Sequence, residues 1–292
     1  MLRSLRRTGK FSITRRAKSH NFMDQFEQEV KAGDRFTFGS NWARFLSTLN
    51  DERIAEAEKS LREMIGVTDL KGIRFLDVGS GSGLFSLAAR RLGAQVRSFD
   101  YDPQSVACAI QLRKRFFSGD ASWTIERGSA LDASFLSTLE TFDIVYSWGV
   151  LHHTGQMWKA LDLVGGRVKK GGKLFVALYN DQGWRSRFWW RVKKTYCSGL
   201  VPRLAVCAVF IPYMAFRAFC KSLLTGTNVW SNYKKTRGMS LWHDWIDWLG
   251  GFPFEVATAD AVVKFYEQRG FTLFKLKTTA SLGNNEFVFV KK

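Results

Sequence analysis

The sequence predicts an α/β fold: a doubly wound, mostly parallel sheet with an antiparallel last strand and a helical insertion. Five short apolar runs alternate with helix-length stretches between residues 73 and 180, the pattern of a parallel sheet. The alternation stops at residue 181 and resumes at residue 259 with a helix and two closely spaced strands. A chain of 292 residues with 46% hydrophobic content can bury one large core of this kind.

The chain divides into four segments. Residues 1–20 are basic and predicted to be disordered, and residues 21–68 are predicted to form N-terminal helices. The main domain is predicted from residues 69–180 and 259–292, and residues 181–258 form the insertion that caps the substrate site.

Each element follows from its own pattern. The stretch DERIAEAEKSLREMIGV, within residues 21–68, repeats apolar residues at helical spacing. The parallel strands are predicted at IRFLDV, QVRSFDY, SWTIERG, FDIVYSW and KLFVALYN. Helices are predicted over residues 83–93, 103–117 and 259–269. The last two strands are predicted near residues 271–279 and 285–291, and their short connection requires antiparallel pairing.

The net charge of +18 lies in two segments. Residues 1–20 carry seven Lys and Arg, residues 184–237 carry eleven, and neither segment contains an acid. The rest of the chain is neutral, which is typical of an ordinary enzyme body and excludes a uniformly basic surface. Four cysteines without CxxC spacing predict neither a disulfide framework nor a zinc site, so we expect a reducing compartment.

The stretch FLDVGSGSG places Asp77 and three glycines, at positions 79, 81 and 83, between the first strand and a helix. This is the sheet edge where such folds bind ligands. The DxGxGxG spacing differs from the GxGxxG of dinucleotide-binding folds, and an acid two residues before the first glycine suits a ligand with a positively charged amino group. Asp100 ends the second strand, where a carboxylate can accept both hydroxyl hydrogens of a ribose.

The fourth strand, FDIVYSWGVLHH, runs directly into two histidines. With the glycine loop and Asp100, it resembles the class I S-adenosylmethionine-dependent methyltransferases, most closely the small-molecule O-methyltransferases of the ubiquinone-biosynthesis type. The resemblance covers about residues 70–180 and 259–292. It implies a Rossmann-like sheet of seven strands, with S-adenosyl-L-methionine as the cofactor.

The resemblance also implies roles for individual residues. Asp77 and the backbone of Gly79, Gly81 and Gly83 would hold the methionine part of the cofactor, because glycines allow close approach of the backbone.

Asp100 would bind the ribose and Tyr101 would lie beside the adenine, although Tyr101 could equally be a plain packing aromatic. The family often has an acid after the third strand where this chain has Ser129, so the backbone of Ala130 is the alternative adenine contact.

Methyl transfer to oxygen requires alignment of the nucleophile and removal of its proton. His152 or His153 is the predicted general base, because a histidine titrates near neutrality. Adjacent residues on an extended segment point in opposite directions, so we expect one of the two to act. The alternative is that one packs under the loop and the other only shapes the pocket.

Trp148 and the stretch SLWHDWIDWLGG supply the predicted acceptor contacts, with Trp242, His243 and Asp244 as the candidates in that stretch. The three tryptophans of the stretch recur at nearly helical spacing, which also fits a packed helix face. No second and third ligand lie at suitable spacing, so no metal site is predicted.

The insertion joins basic and aromatic residues to an apolar run over residues 204–216. This run of 13 residues is shorter than the roughly 20 needed to span a bilayer. Lys, Arg and Trp beside an apolar face are typical of a segment in the membrane interface, so membrane contact through residues 184–237 is expected, and it would suit a lipid-linked acceptor. The alternative is a helical cap on the catalytic domain with a solvated basic rim.

Three functional hypotheses remain. The first is O-methylation of a small or lipid-linked molecule. The second, an RNA methyltransferase that uses the basic insertion, is disfavoured because SWGV replaces the Asn/Asp-Pro-Pro-aromatic and Pro-Cys motifs of base methyltransferases. The third is a non-catalytic, methyltransferase-like binding subunit. We expect a cytoplasmic location at the membrane face; the Arg-rich, acid-free residues 1–20 make the mitochondrial matrix the alternative.

Overall fold

The computed structural model describes residues 25–226 and 241–292, without the side chains of residues 40, 43, 44 and 241–244. The prediction for residues 1–20 therefore lies outside the described residues. The same holds for residues 227–240 of the predicted insertion.

Seven strands form one sheet in the order β3-β2-β1-β4-β5-β7-β6. Their bounds are β1 Arg74–Val78, β2 Gln95–Asp100, β3 Trp123–Arg127, β4 Phe142–Trp148, β5 Val168–Tyr179, β6 Phe271–Lys277 and β7 Asn284–Lys291. The first five strands pair in parallel, and β7 is antiparallel to both of its neighbours. This confirms the predicted fold class, including the antiparallel last strand.

The described helices alternate with the strands as the apolar pattern predicts. They are α1 (residues 25–31), α2 Gly39–Ser47, α3 Asp51–Ile65, α4 Leu84–Arg91, α5 Pro103–Phe116, α6 Ala133–Ser137, α7 Met157–Gly165, α8 Trp184–Cys197, α9 Leu200–Thr225, α10 Leu241–Gly250 and α11 Ala259–Glu267. Several of these helices have a side-chain N-cap. The side-chain oxygen of the residue just before the helix accepts a hydrogen bond from a backbone N–H of the first turn, which has no partner within the helix. Asn50, Asp102, Asp132 and Thr258 do this for α3, α5, α6 and α11.

The core lies on both faces of the sheet because successive strand residues point to opposite sides. On β1, Phe75 packs with α3 and α4, whereas the neighbouring Leu76 packs with α7 and α11. On β4, Ile144 lies on the same face as Phe75, and Val145 lies on the same face as Leu76. Both faces of the central strands are therefore buried, which explains their continuous apolar sequences.

The loops that follow the parallel strands open at one edge of the sheet. The strand order reverses between β1 and β4, and such a switch point creates a ligand crevice. The insertion follows β5 at this same edge, and a bridge from Asn180 to Ala257 joins its two ends. Helices α8, α9 and α10 pack together around a small core of their own, which includes Tyr196, Leu249 and Phe252.

Candidate functional site

The backbone of the glycine loop after β1 adopts a conformation that favours glycine. Gly79, Gly81 and Gly83 have φ angles of 74°, 53° and 83°, in the left-handed region that side chains disfavour. The Gly79 N–H donates to the carbonyl of Phe99 at 2.9 Å, which ties the loop to the end of β2. A Cβ on Gly79 would lie only 2.2 Å from Cγ1 of Val150. The loop is thus closed against both β2 and the segment after β4.

Asp77 lies beneath this loop. Its carboxylate accepts a hydrogen bond from the Ser86 hydroxyl at 2.6 Å, and only 2% of the residue is exposed. Burial raises the pKa of Asp77 to about 7, because the structure describes no cation beside it to offset the lost hydration. The structure therefore places Asp77 under the ligand edge, where a nearby positive charge would favour its ionised form.

Asp100 joins the end of β2 to the glycine loop. One carboxylate oxygen accepts the Gly81 N–H at 2.9 Å, and the other accepts the Asp102 N–H at 2.9 Å. Burial raises the pKa of Asp100 to about 6, although these two bonds oppose the shift. The Tyr101 N–H is a third backbone donor to this carboxylate, which still has acceptor capacity for a further donor such as a ribose hydroxyl.

Tyr101 packs against N-terminal residues that the sequence analysis did not assign to the site. The Phe26 ring lies edge-on at 5.4 Å, and the Arg35 guanidinium lies 4.9 Å above the Tyr101 ring. The Tyr101 hydroxyl donates to Glu29 at 3.4 Å. In this structure Tyr101 thus packs against residues of the N-terminal segment.

Residues 25–48, here called the N-terminal cover, continue from Tyr101 across the sheet edge. The Gly39 N–H donates to Asp102 at 2.9 Å, and the Trp42 indole lies 3.1 Å from where a Cβ on Gly81 would stand. Arg35 donates to the carbonyl of His153 at 3.1 Å. The cover thus links the cofactor residues to the histidines. Its one sequence signal is the aromatic spacing in RFTFGSNW, which does not reveal what it covers.

Ser129 and Ala130 follow β3 at the same edge. The Ser129 hydroxyl accepts the Leu131 N–H at 3.2 Å and shapes its own loop, while Ala130 is buried. The structure therefore favours backbone rather than side-chain contacts from this loop.

His152 and His153 lie on a 3-10 turn, Leu151–His153, and the expectation of an extended segment is wrong. Gly149, with φ of 74°, ends β4 and turns the chain. The two rings consequently lie side by side, with centroids 4.4 Å apart, instead of pointing in opposite directions.

The two histidines nevertheless differ in environment. His152 is fully buried, and its Nδ1 accepts the Tyr179 N–H at 3.3 Å. The proton of the neutral ring therefore sits on Nε2, which has no hydrogen-bond partner among the described residues. Burial keeps the pKa of His152 well below its ordinary value. This is the environment of a packed, neutral histidine.

His153 is partly exposed, and its tautomer leaves one ring nitrogen free to accept a proton. Its Nδ1 lies 2.6 Å from the carbonyl of Pro253, and a carbonyl can only accept, so Nδ1 carries the proton and Nε2 keeps its lone pair. Burial and the charges of Lys193 and Arg35 lower the pKa of His153 to about 3, although the Pro253 bond opposes this. The ring is neutral throughout the physiological range.

Lys193, from helix α8, is a buried cation beside the histidines, and the sequence analysis did not single it out. Its ammonium donates to the carbonyl of Trp248 and lies 4.2 Å from the Trp248 ring centroid and 4.9 Å from that of Phe254. A Cβ on Gly251 would lie 3.3 Å from Cε1 of His153 and 3.5 Å from Nζ of Lys193. Burial lowers the pKa of Lys193 to about 7.

The remaining acceptor candidates are placed as follows. Trp148, at the end of β4, is 42% exposed and donates from its indole to Glu286 at 3.2 Å. The side chains of Trp242, His243 and Asp244 lie outside the described residues. Their helix, α10, has formed as predicted and packs Trp248 against Tyr179 and Trp189. Within the described part of the chain, no group of three His, Cys, Asp or Glu residues could hold a metal ion.

Comparison with known proteins finds similarity to methyltransferases. The methyltransferase domain family matches residues 76–176, which run from β1 to β5. The ubiquinone biosynthesis O-methyltransferase of Brucella melitensis is 30% identical over 111 residues, covering 38% of this chain and 43% of the relative. That of Sinorhizobium fredii is 28% identical over 142 residues, covering 47% and 55%. The matches thus span about half the length of these relatives.

Solved structures share the fold over most of the chain. Magnesium protoporphyrin IX methyltransferase from Synechocystis PCC 6803, with bound S-adenosylhomocysteine, has a TM-score of 0.51 and 13% identity, covering 82% of this chain and 83% of that one. Its S-adenosylmethionine-bound structure has a TM-score of 0.50 and 11% identity, covering 82% and 79%. At this identity the likeness concerns the fold.

The seven-stranded sheet with its antiparallel last strand is the fold of the class I S-adenosylmethionine-dependent methyltransferases. Residues 76–176, which carry β1 to β5 of this sheet, are similar to the methyltransferase domain family.

Gly79 provides a test of the close packing between the loop and the segment after β4. We expect Gly79→Ala to destabilise the protein by about 1–3 kcal/mol more than Gly72→Ala, because its methyl group would overlap Val150. Gly72 has the same φ of 74° but has nothing within 4 Å of its added Cβ, so Gly72→Ala measures the backbone strain alone, about 1–2 kcal/mol. Urea unfolding of both variants measures the difference, and equal losses would contradict the overlap.

Lys193 provides a test of pH-dependent stability. The pKa of Lys193 is 10.5 in the unfolded chain and about 7 in the folded protein. Below pH 7 the side chain is charged in both states, so folding carries the full free-energy cost of burying the charge. As the pH rises from 7 to 10, the folded protein releases that proton and the cost fades. We expect Lys193→Met to raise the free energy of unfolding at pH 6 by about 1–4 kcal/mol, and by less at pH 9.5.

The control for this measurement is Lys194→Met, which changes an exposed neighbour. Asp247 and Cys197 are the other titratable groups that act on Lys193, and both are unchanged in either variant. A stability gain in Lys193→Met that does not depend on pH would show that the gain is one of packing and not of charge.

Proposed function

We propose that this protein is an S-adenosylmethionine-dependent methyltransferase that methylates a hydroxyl oxygen on a small or lipid-linked acceptor. The observation that carries the proposal is the position of Asp100 against the glycine loop, with a neutral, base-competent His153 on the turn after β4. These groups occupy one sheet edge, at the strand-order switch.

The cofactor side of the site suits that ligand. The glycine loop leaves no room for a Cβ at position 79, and Ser80, within the loop, has a buried hydroxyl with no partner among the described residues. Asp100 would accept from ribose hydroxyls, and Asp77 would favour a cationic amino group above the loop. When bound, S-adenosylmethionine supplies a methyl group on a sulfonium, which is already an excellent leaving group.

The acceptor side requires a base rather than an acid, because the attacking oxygen must lose its proton. His153 can accept that proton on Nε2, while its Nδ1 bond to Pro253 holds the ring in place. The lowered pKa makes His153 a weak base, so we propose an acceptor whose hydroxyl loses its proton readily, a phenol or enol rather than an aliphatic alcohol. The O-methyltransferase names of the relatives support oxygen as the acceptor atom.

We further propose that the acceptor enters between the turn after β4 and helix α8. Trp189, Tyr179 and Trp248 surround this region, and Lys193 places a cation beside it. An aromatic cluster of this kind suits a planar or prenylated acceptor. A cytoplasmic location at the membrane face fits this acceptor, with the mitochondrial matrix as the alternative.

Cofactor binding is tested by titration calorimetry with S-adenosylmethionine. We expect micromolar binding by the wild-type protein and a loss of roughly tenfold or more in Asp100→Asn, because hydrogen bonds to a charged acceptor are worth about 1.5–3 kcal/mol. Wild-type affinity should also fall as the pH drops from 8 to 5, since Asp77 and Asp100 take up protons with pKa values of about 7 and about 6. No binding by folded wild-type protein would favour a non-catalytic binding subunit.

The base is tested by turnover with a labelled methyl donor and a panel of phenolic acceptors. We expect His153→Gln to lower kcat by about 10²–10⁴-fold with an unchanged cofactor Kd. His152→Gln is the matched control, and its effect should follow the loss of stability instead. Equal kcat losses in both variants, with both folded, would remove His153 from the role. Methylation of RNA in preference to these acceptors would support the RNA hypothesis.

A further inference from the structure

Helix α9 exposes a continuous apolar stripe. Between residues 204 and 216, every exposed residue of the helix is apolar: Leu204, Ala205, Ala208, Val209, Pro212, Tyr213 and Phe216. Phe219, Leu223 and Leu224 continue the exposed apolar surface into the last turns. We call this set the α9 face. At a rise of about 1.5 Å per residue, the face is about 30 Å long. Soluble monomers rarely expose an apolar patch of this size.

The opposite side of α9 is attached to the protein. Val206, Phe210 and Met214 pack in the core formed with α8 and α10, and Ala218 packs beside Trp245 of α10. Phe210 lies 5.3 Å from Trp189 of α8, ring to ring. Among the helices of the described residues, α9 alone is long and apolar enough to cross a membrane by length and composition. Crossing would expose this packed side, so its lengthwise attachment favours a helix lying in the plane of a membrane.

The neighbouring helix α8 supplies exposed cations and aromatic rings. Its exposed basic residues are Arg185, Arg187, Arg191 and Lys194. Trp184, Phe188 and Trp190 are 67%, 43% and 40% exposed, and the Phe188 ring lies 6.2 Å from Phe210 of α9. No acid occurs between residues 184 and 237, so every charged side chain of α8 and α9 is basic.

We propose that the α9 face and the α8 cations bind the surface of an anionic lipid bilayer, with α9 in the membrane plane. The apolar stripe would enter the boundary between headgroups and acyl chains, and the cations would neutralise lipid phosphates. A second copy of this chain is a poorer occupant, because it would bring another acid-free cationic segment against the first. Lipid binding stands independently of methyl transfer.

The placement of the face has one consequence that does rest on the proposed function. Helix α8 presents Trp189 and Lys193 toward Trp248 on its inner side and exposed cations on its outer side. One helix thus separates the proposed acceptor region from the proposed bilayer surface. A lipid-linked acceptor could pass from the bilayer to His153 along this helix.

The experiment is co-sedimentation of the full-length protein with vesicles of phosphatidylcholine alone or with about a third phosphatidylglycerol. We expect binding to the anionic vesicles that weakens with salt, and little binding to neutral ones. Val209→Glu/Phe216→Glu should lower the bound fraction by about tenfold or more, because it removes apolar area and adds repelling charge. The matched control is Phe274→Glu/Leu276→Glu, which makes the same kind of change on exposed residues of β6.

A β6 control that loses binding as strongly as the α9 variant would overturn the proposal, and so would three further outcomes. The first is a wild-type protein that stays in the supernatant with every vesicle. The second is a wild-type dimer that Val209→Glu/Phe216→Glu converts to a monomer without any vesicle binding, which would make the face a contact between copies. The third is resistance of the bound protein to alkaline carbonate extraction, which would indicate a spanning helix. Unchanged S-adenosylmethionine affinity and circular dichroism in both variants show that the fold and the cofactor site are intact.

Discussion

The hydrogen bond from the Gly81 N–H to the Asp100 carboxylate is the contact on which the rest of the site depends. It joins the loop after β1 to the end of β2, while the Gly79 N–H joins the same loop to Phe99. The left-handed backbone of the loop makes both bonds possible, and such a backbone carries little strain only in glycine. Val150, in the segment that leads to the histidines, packs against Gly79 of this loop. The candidate cofactor residues and the proposed base are therefore positioned by one packed unit.

The structure adds two parts around this unit. The N-terminal cover packs on Tyr101 and reaches the backbone of His153 through Arg35. Lys193 is buried from the other side, among aromatic rings, with a pKa lowered to about 7 by lost hydration. A buried cation with a strongly lowered pKa beside a ligand edge is a candidate functional group. Both parts converge on His153.

The fold was largely predictable because its signals are local. Apolar runs such as FDIVYSW mark strands by themselves, and the switch from strand to helix after Gly83 follows from turn chemistry. The glycine loop and Asp100 were also predictable, since their roles depend on positions at strand ends. The conformation at His152 and His153 was predicted wrongly, because the turn that Gly149 begins depends on packing against Tyr179.

The sequence by itself determined the sheet, the order of its elements, the candidate cofactor residues and the location of the excess charge, because each follows from periodicity or from neighbours along the chain. Only the tertiary structure decided which histidine is buried and which keeps a free Nε2, since that depends on Tyr179 and Pro253, which are 27 and 100 residues away from His152 and His153. It also decided that Lys193 is buried while Lys194 is exposed, and that the apolar residues of α9 face outward. Burial is a property of the packed molecule, and residues distant in sequence create it.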